Sequence, residues 1–124
     1  MGAATPEALI AAYGEAINTH RFAVVAPLIA QDASFWFNDG SHLGIAAIRD
    51  AFEATWARLV DERYWLEDLI WIVKGQDIAA CRYRFCYTAV VNGDVQSGAG
   101  RGTCIVERRV QGWVIVHEHL SALA

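Results

Sequence analysis

Two histidines, His117 and His119, stand two residues apart in the run Trp113-Val114-Ile115-Val116-His117-Glu118-His119. In an extended strand, residues i and i+2 point to one face, so the two imidazoles share a direction. Such a pair suits general-base chemistry near neutral pH, a ligand contact, a metal, or hydrogen bonds that tie the strand to its neighbours. A metal would want a third ligand, and no nearby His or Cys falls at a convincing spacing, so neither a metal nor another cofactor is expected. His119 is the catalytic candidate of the pair and His117 a pocket contact. Proton abstraction would also need an inward carboxylate whose pKa is raised, facing a hydrogen-bond donor. Asp39, Asp68 and Glu118 are placed to be considered. Asp39 lies in Asn38-Asp39-Gly40, where a turn-stabilising role competes with a catalytic one. Asp68 follows Glu67 in a strand and reads equally well as buried or solvated. Glu118 alternates with the two histidines and reads as a surface acid.

Five tryptophans in 124 residues say more about a cavity wall. A buried indole needs a partner for its N–H, and packing into the core is the plain reading for Trp56 and Trp113. Trp36 and Trp71 fall on strands and suit the lining of a pocket for a flat apolar ligand. Another strand alternates Tyr83, Phe85 and Tyr87 with Arg82, Arg84 and Cys86. Hydrophobic patterning alone turns the aromatics inward and the arginines to solvent.

Several elements must position these residues. Thr5-Pro6-Glu7 opens a helix with a hydroxyl cap, a proline at the first position and an acid near the positive dipole end. Leu9, Ala12, Tyr13, Ala16 and Ile17 give it one apolar face. Phe22 to Ala30 reads as a second short helix, kinked or broken at Pro27. Ala33 to Phe37 reads as a strand, and Gly44 to Leu59 as the clearest helix, striped by Ile45, Ile48, Phe52, Trp56 and Leu59. After Asp61 the chain reads as sheet: Tyr64 to Lys74, Ile78 to Val91, Val95 to Val110 and Trp113 to Ser121. Asn92-Gly93 is a strong hairpin signal between the middle two. Helices first and a meander afterwards means α+β. Gly98, Gly100 and Gly102 alternate in one strand, which predicts a sharp bend or a close helix, with the bend preferred.

The totals exclude several classes. The length fits a single domain over residues 1–124, and 55% apolar residues suffice for a core. A net charge of −4 without a basic cluster argues against nucleic acid. Neither a signal peptide nor a membrane span is expected. Three cysteines without C-x-x-C spacing suggest free thiols and a cytoplasmic protein.

Glu15-Ala16-Ile17-Asn18 with Phe22, then Phe52-Glu53-Ala54-Thr55-Trp56, Ala80-Cys81, and Thr103 to Ser121 with Arg108-Arg109 and Trp113 carry a resemblance. In this order they resemble the nuclear transport factor 2-like superfamily, within it SnoaL-like domains and the association (hub) domain of calcium/calmodulin-dependent kinase II. The resemblance implies a cone-shaped fold with N-terminal helices on a strongly curved antiparallel sheet. It also implies a pocket, but the scaffold hosts isomerases, cyclases, dehydratases and plain oligomerisation modules alike. Hub domains line theirs with arginines at the positions of Cys86, Cys104 and Leu120 and with a histidine at Ile48. Here the implied pocket, including Phe52 and Trp56, is therefore largely apolar. By the same resemblance Cys86 and Arg84 would face inward and the aromatics of that strand would cover a dimer interface, against the hydrophobic patterning. The expectation is a domain that binds a small apolar or aromatic ligand, with isomerase- or cyclase-type chemistry, as a homodimer. The alternative is a non-catalytic oligomerisation module.

Overall fold

The computed structural model describes residues 2–123. Helices α1 (Pro6–Ile17), α2 (Phe22–Val25) and α3 (Ile45–Arg58) pack on strands β1 (Ile29–Phe37), β2 (Gly40–Leu43), β3 (Val60–Lys74), β4 (Ile78–Val91), β5 (Asp94–Arg109) and β6 (Gly112–Ala122). The six strands form one open sheet in the order β2-β1-β6-β5-β4-β3. Its pairs are antiparallel except β1 with β6, which run parallel. The expected α+β architecture is what the chain adopts.

Local chemistry explains the boundaries. Thr5 caps α1 by accepting from the Ala8 amide at 3.0 Å, with Pro6 in the first turn. Leu9, Ile10, Tyr13, Ala16 and Ile17 of α1 are buried. The second helix is shorter than the pattern predicts. It stops at Val25, Pro27 sits in a 3-10 turn spanning Ala26–Leu28, and β1 begins at Ile29. Ile29 and Ala30 thus belong to the sheet, because Ile29 finds a partner in Ile115 of β6. The turn at Asn38-Asp39 closes a hairpin onto β2, a strand the sequence pattern does not reveal. At the β4–β5 hairpin, Asn92 and Gly93 take φ values of 53° and 84°, the left-handed pair that a tight two-residue turn requires. Two non-glycine residues of β3, Asp61 and Asp68, also sit at positive φ, 54° and 55°, where its register with β4 shifts. These bulges bend the sheet around the helices.

The glycines of β5 have a different cause from the one expected. Gly98, Gly100 and Gly102 stand opposite Tyr87, Phe85 and Tyr83 of β4. A Cβ at Gly98 would lie 2.5 Å from the Tyr87 ring, and Cβ atoms at Gly100 and Gly102 would overlap the rings of Phe85 and Tyr83. The aromatic side chains of one strand therefore lie flat across the next. Neither a bend nor a helix demands the glycines; the rings do.

Gly100→Ala should destabilise the fold by about 1–3 kcal/mol, since Phe85 and the Ser121 carbonyl both crowd the new methyl. Gly14→Ala, in α1 with nothing within 4 Å of its Cβ position, should instead stabilise by about 0.5–1 kcal/mol. Urea denaturation of the two variants measures both; equal effects would contradict the ring-over-glycine packing.

Candidate functional site

A cavity of about 480 Å³ opens between the helices and the inner face of the sheet. Tyr13 and Ile17 enter from α1, and Phe52, Thr55 and Trp56 from α3. Phe37 comes from β1, Glu62 and Tyr64 from β3, Phe85 and Tyr87 from β4, and Glu118 and Leu120 from β6. Asn38, Asp39 and Arg58, all exposed, complete the rim. Phe52 packs edge-on to Trp56 at 5.6 Å between ring centres, and Tyr64 stacks on Phe85 at 6.2 Å.

Glu118 is fully buried in this wall. Tyr13 donates to its Oε1 at 2.8 Å, and Tyr83 donates to its Oε2 through a short hydrogen bond. The arrangement follows from three strands and a helix. Cys81 of β4, Cys104 of β5 and Glu118 lie side by side across the sheet, with Tyr83 two residues on from Cys81 and Tyr13 descending from α1. Burial raises the Glu118 carboxyl to about 7, against the opposing pull of the Tyr83 and Tyr13 hydrogen bonds. Burial, followed by the nearby Glu118 charge, pushes both phenols well above their usual range, so they remain donors. A hydrogen bond that Cys104 donates to Cys81, and then burial, push the Cys104 thiol up as well, which leaves it inert behind the carboxylate.

A second acid shares the cavity. Glu62 is 5% exposed, turned inward beside Tyr64 by the bulge at Asp61. Its carboxylate makes no hydrogen bond among the described residues, and its backbone carbonyl accepts from His20 Nε2 at 2.8 Å. A carbonyl can only accept, so His20 carries a proton on Nε2. The His20 ring stacks on Trp56 at 5.5 Å. Burial raises the Glu62 carboxyl, while His20 and Arg58 draw it back down.

Of the residues expected in the pocket, Phe52, Trp56 and Leu120 line it, and Asp39 stands at its rim, 3.3 Å from His42 Nε2. Ile48 and Cys104 are buried in the core. Trp71 lines a separate groove between α1 and β3. The remaining expectations are corrected. His117 and His119 lie on the outer face, where His117 Nδ1 meets Ser34 Oγ at 2.8 Å and Trp36 packs edge-on against both rings. Their pairing with Ser34 and Trp36 of β1 turns them outward and turns Glu118, between them, inward. The catalytic role considered for His119 and the pocket roles of His117 and Trp36 fall with that geometry. Tyr83, Phe85 and Tyr87 point inward and Arg84 is exposed, 3.9 Å from Glu67, so the aromatics cannot form a dimer interface nor Arg84 the pocket cation. Cys86 alternates with Phe85 and faces out, opposite Trp65. Asp68 is exposed on its bulge. Glu118 was among the candidate acids but read as a surface acid, and sequence reasoning missed Tyr13, Tyr83 and Glu62 as its companions. The alternating glycines could have placed Tyr83, since residues without room for a Cβ mark the face on which rings lie.

A carboxyl held at about 7, against an ordinary value of 4.5, binds its proton in the folded chain over a range where the unfolded chain has lost it. Stability contributed by this group therefore falls as pH rises through that window and is level above it. Relative to Glu118→Gln, the wild type should lose up to about 3 kcal/mol between pH 4.5 and 7.5. Denaturation of both proteins across this range tests it, since every other group is common to the two. A pH-independent difference would mean that Glu118 is not held neutral.

The fold has relatives. A nuclear transport factor 2-like superfamily protein from Salmonella enterica superimposes with a TM-score of 0.85 at 24% identity, over 94% of this chain and 87% of that one. A Xanthomonas campestris protein provisionally named a calcium/calmodulin dependent protein kinase II association domain gives 0.83 at 22% identity, over 98% and 94%. A ketosteroid isomerase-like protein from Erwinia carotovora atroseptica gives 0.80 at 17% identity, over 95% and 93%. No curated protein matches. The model of the SnoaL-like domain family matches residues 7–124, nearly the whole sequence, and the chain belongs to that family.

Proposed function

We propose that the domain binds a hydrophobic, ring-bearing small molecule and moves a proton on it, in the manner of an isomerase or cyclase, with Glu118 as the acid–base group. The observation that carries this reading is a fully buried carboxyl that reaches a cavity walled by aromatic rings. A group poised near neutrality can both take and return a proton at physiological pH. Tyr13 and Tyr83 fix both oxygens of Glu118, which orients the carboxylate toward whatever it deprotonates. Asp39 at the rim is a second acid that could receive a proton from a ligand's outer end. The name of the Erwinia relative agrees with this class of chemistry, though the likeness itself extends to the fold alone.

Deuterium uptake from solvent into a panel of cyclic aryl ketones, followed by NMR, would detect such proton transfer. Glu118→Gln should lower the exchange rate by about 100-fold or more, and His119→Ala should leave it unchanged. For the wild type, kcat/KM should rise about tenfold per pH unit below 7 and level off above it, because a base acts when ionised. Exchange that survives Glu118→Gln removes the assignment.

A second reading, an oligomerisation module, is favoured by the outer face, where Trp36 is 48% exposed beside His117 and His119. The two readings are compatible, and a homodimer through this face fits both. Sedimentation of Trp36→Glu should then show a monomer where the wild type shows a dimer. The three free, buried cysteines suit a reducing compartment, and the cytoplasm is the location proposed.

A further inference from the structure

The cavity is apolar in area but not neutral in charge. Its ionisable lining comprises Asp39, Glu62 and Glu118 against a single cation among the described residues, Arg58. Glu118 already has a tyrosine hydroxyl on each oxygen. Glu62 has neither a hydrogen bond nor an ion pair within 4.0 Å among the described residues, although it is 95% buried by its 5% exposure. Its oxygens are not sealed in protein, since no fully enclosed polar atom lacks a partner; they face the cavity that Glu62 lines. An acid left in an apolar wall without a donor is costly, unless something arrives to meet it. Arg58 could have done so but remains exposed.

The surroundings of Glu62 are aromatic. Tyr64 follows it on the same face of β3. Trp56 is tied to the same place through His20, which stacks on the indole at 5.5 Å and donates to the Glu62 carbonyl at 2.8 Å. The faces of Trp and Tyr attract cations, and the attraction grows where water is excluded. Resting on the reading that this cavity holds a small molecule, we propose that its ligand carries a cationic nitrogen, protonated or quaternary, seated against the Glu62 carboxylate and the rings of Trp56 and Tyr64. The apolar remainder of the ligand then extends toward Phe85 and Glu118. Such a ligand supplies the contact partner that Glu62 lacks among the described residues, where His20 and Arg58 act on it only from beyond ion-pair distance.

The test is a matched pair of probes that differ in charge and hardly in shape. Benzyltrimethylammonium and its carbon isostere, neopentylbenzene, are titrated into the full chain, with Trp fluorescence and calorimetry as readouts. The cation should bind about tenfold or more tightly than the isostere. Glu62→Gln should abolish that preference while leaving the isostere's affinity as it was, with circular dichroism verifying the fold. Equal or tighter binding of the isostere to the wild type overturns the cation assignment and leaves the apolar pocket standing. A preference that persists in Glu62→Gln overturns the role of Glu62. Binding of neither probe removes the pocket reading along with this one.

Discussion

A carboxylate cannot be withdrawn from water without either a proton or a set of donors, and Glu118 has been withdrawn entirely. Much of the molecule can be understood as the means of providing for it. Tyr13 must descend from α1 and Tyr83 must cross from β4, so the first helix and the fourth strand are fixed relative to the last. Both phenols are themselves buried and kept in the donor state by the same low-dielectric surroundings that unsettle the acid. The cost of burying the cluster is offset by the apolar core, in which Leu9, Phe35, Ile48 and Ile115 are fully buried. Polar groups held this way are poor as stabilisers and good as fixed points.

The same face logic separates what was legible in the sequence from what was not. Helix α1 announced itself by cap, proline and periodic apolar residues, and the β4–β5 hairpin by Asn92-Gly93, because these signals are local. Strand β2 did not, being four residues with no apolar alternation, and neither did the first residues of β1, which exist through pairing with a distant partner. For Ile29, that partner is Ile115, far along the chain. The resemblance secured the fold yet misled about the faces of β4, where plain hydrophobic alternation was the better guide. His117 and His119 drew attention by residue type, whereas the chemistry lay in the residue between them. The face of a strand depends on its register with neighbours, and a single sequence does not display register.

Two acids in one cavity have been treated differently by the fold. Glu118 is wrapped in donors at the inner wall; Glu62 is turned in by a bulge and left open. The positive φ at Asp61 is the device that separates them, since a regular strand would have carried its pairing with β4 straight through from Val60 to Arg63. One acid is thus held by a donor on each oxygen, and the other lines the cavity with no side-chain hydrogen bond among the described residues.

The rings of β4 lying over the glycines of β5 have a further consequence for how the cavity could change over generations. Its breadth is set by a pair of adjacent strands deep in the sheet, and not by the loops that usually diversify. A larger residue at Gly98, Gly100 or Gly102 is admissible only if the ring facing it shrinks, so these positions are bound to vary in concert. At Gly100 the Ser121 carbonyl stands in the way as well, so no exchange of ring for methyl admits a side chain there. Gly98 and Tyr87, which both line the chamber, are the pair through which it can be reshaped without rebuilding the fold.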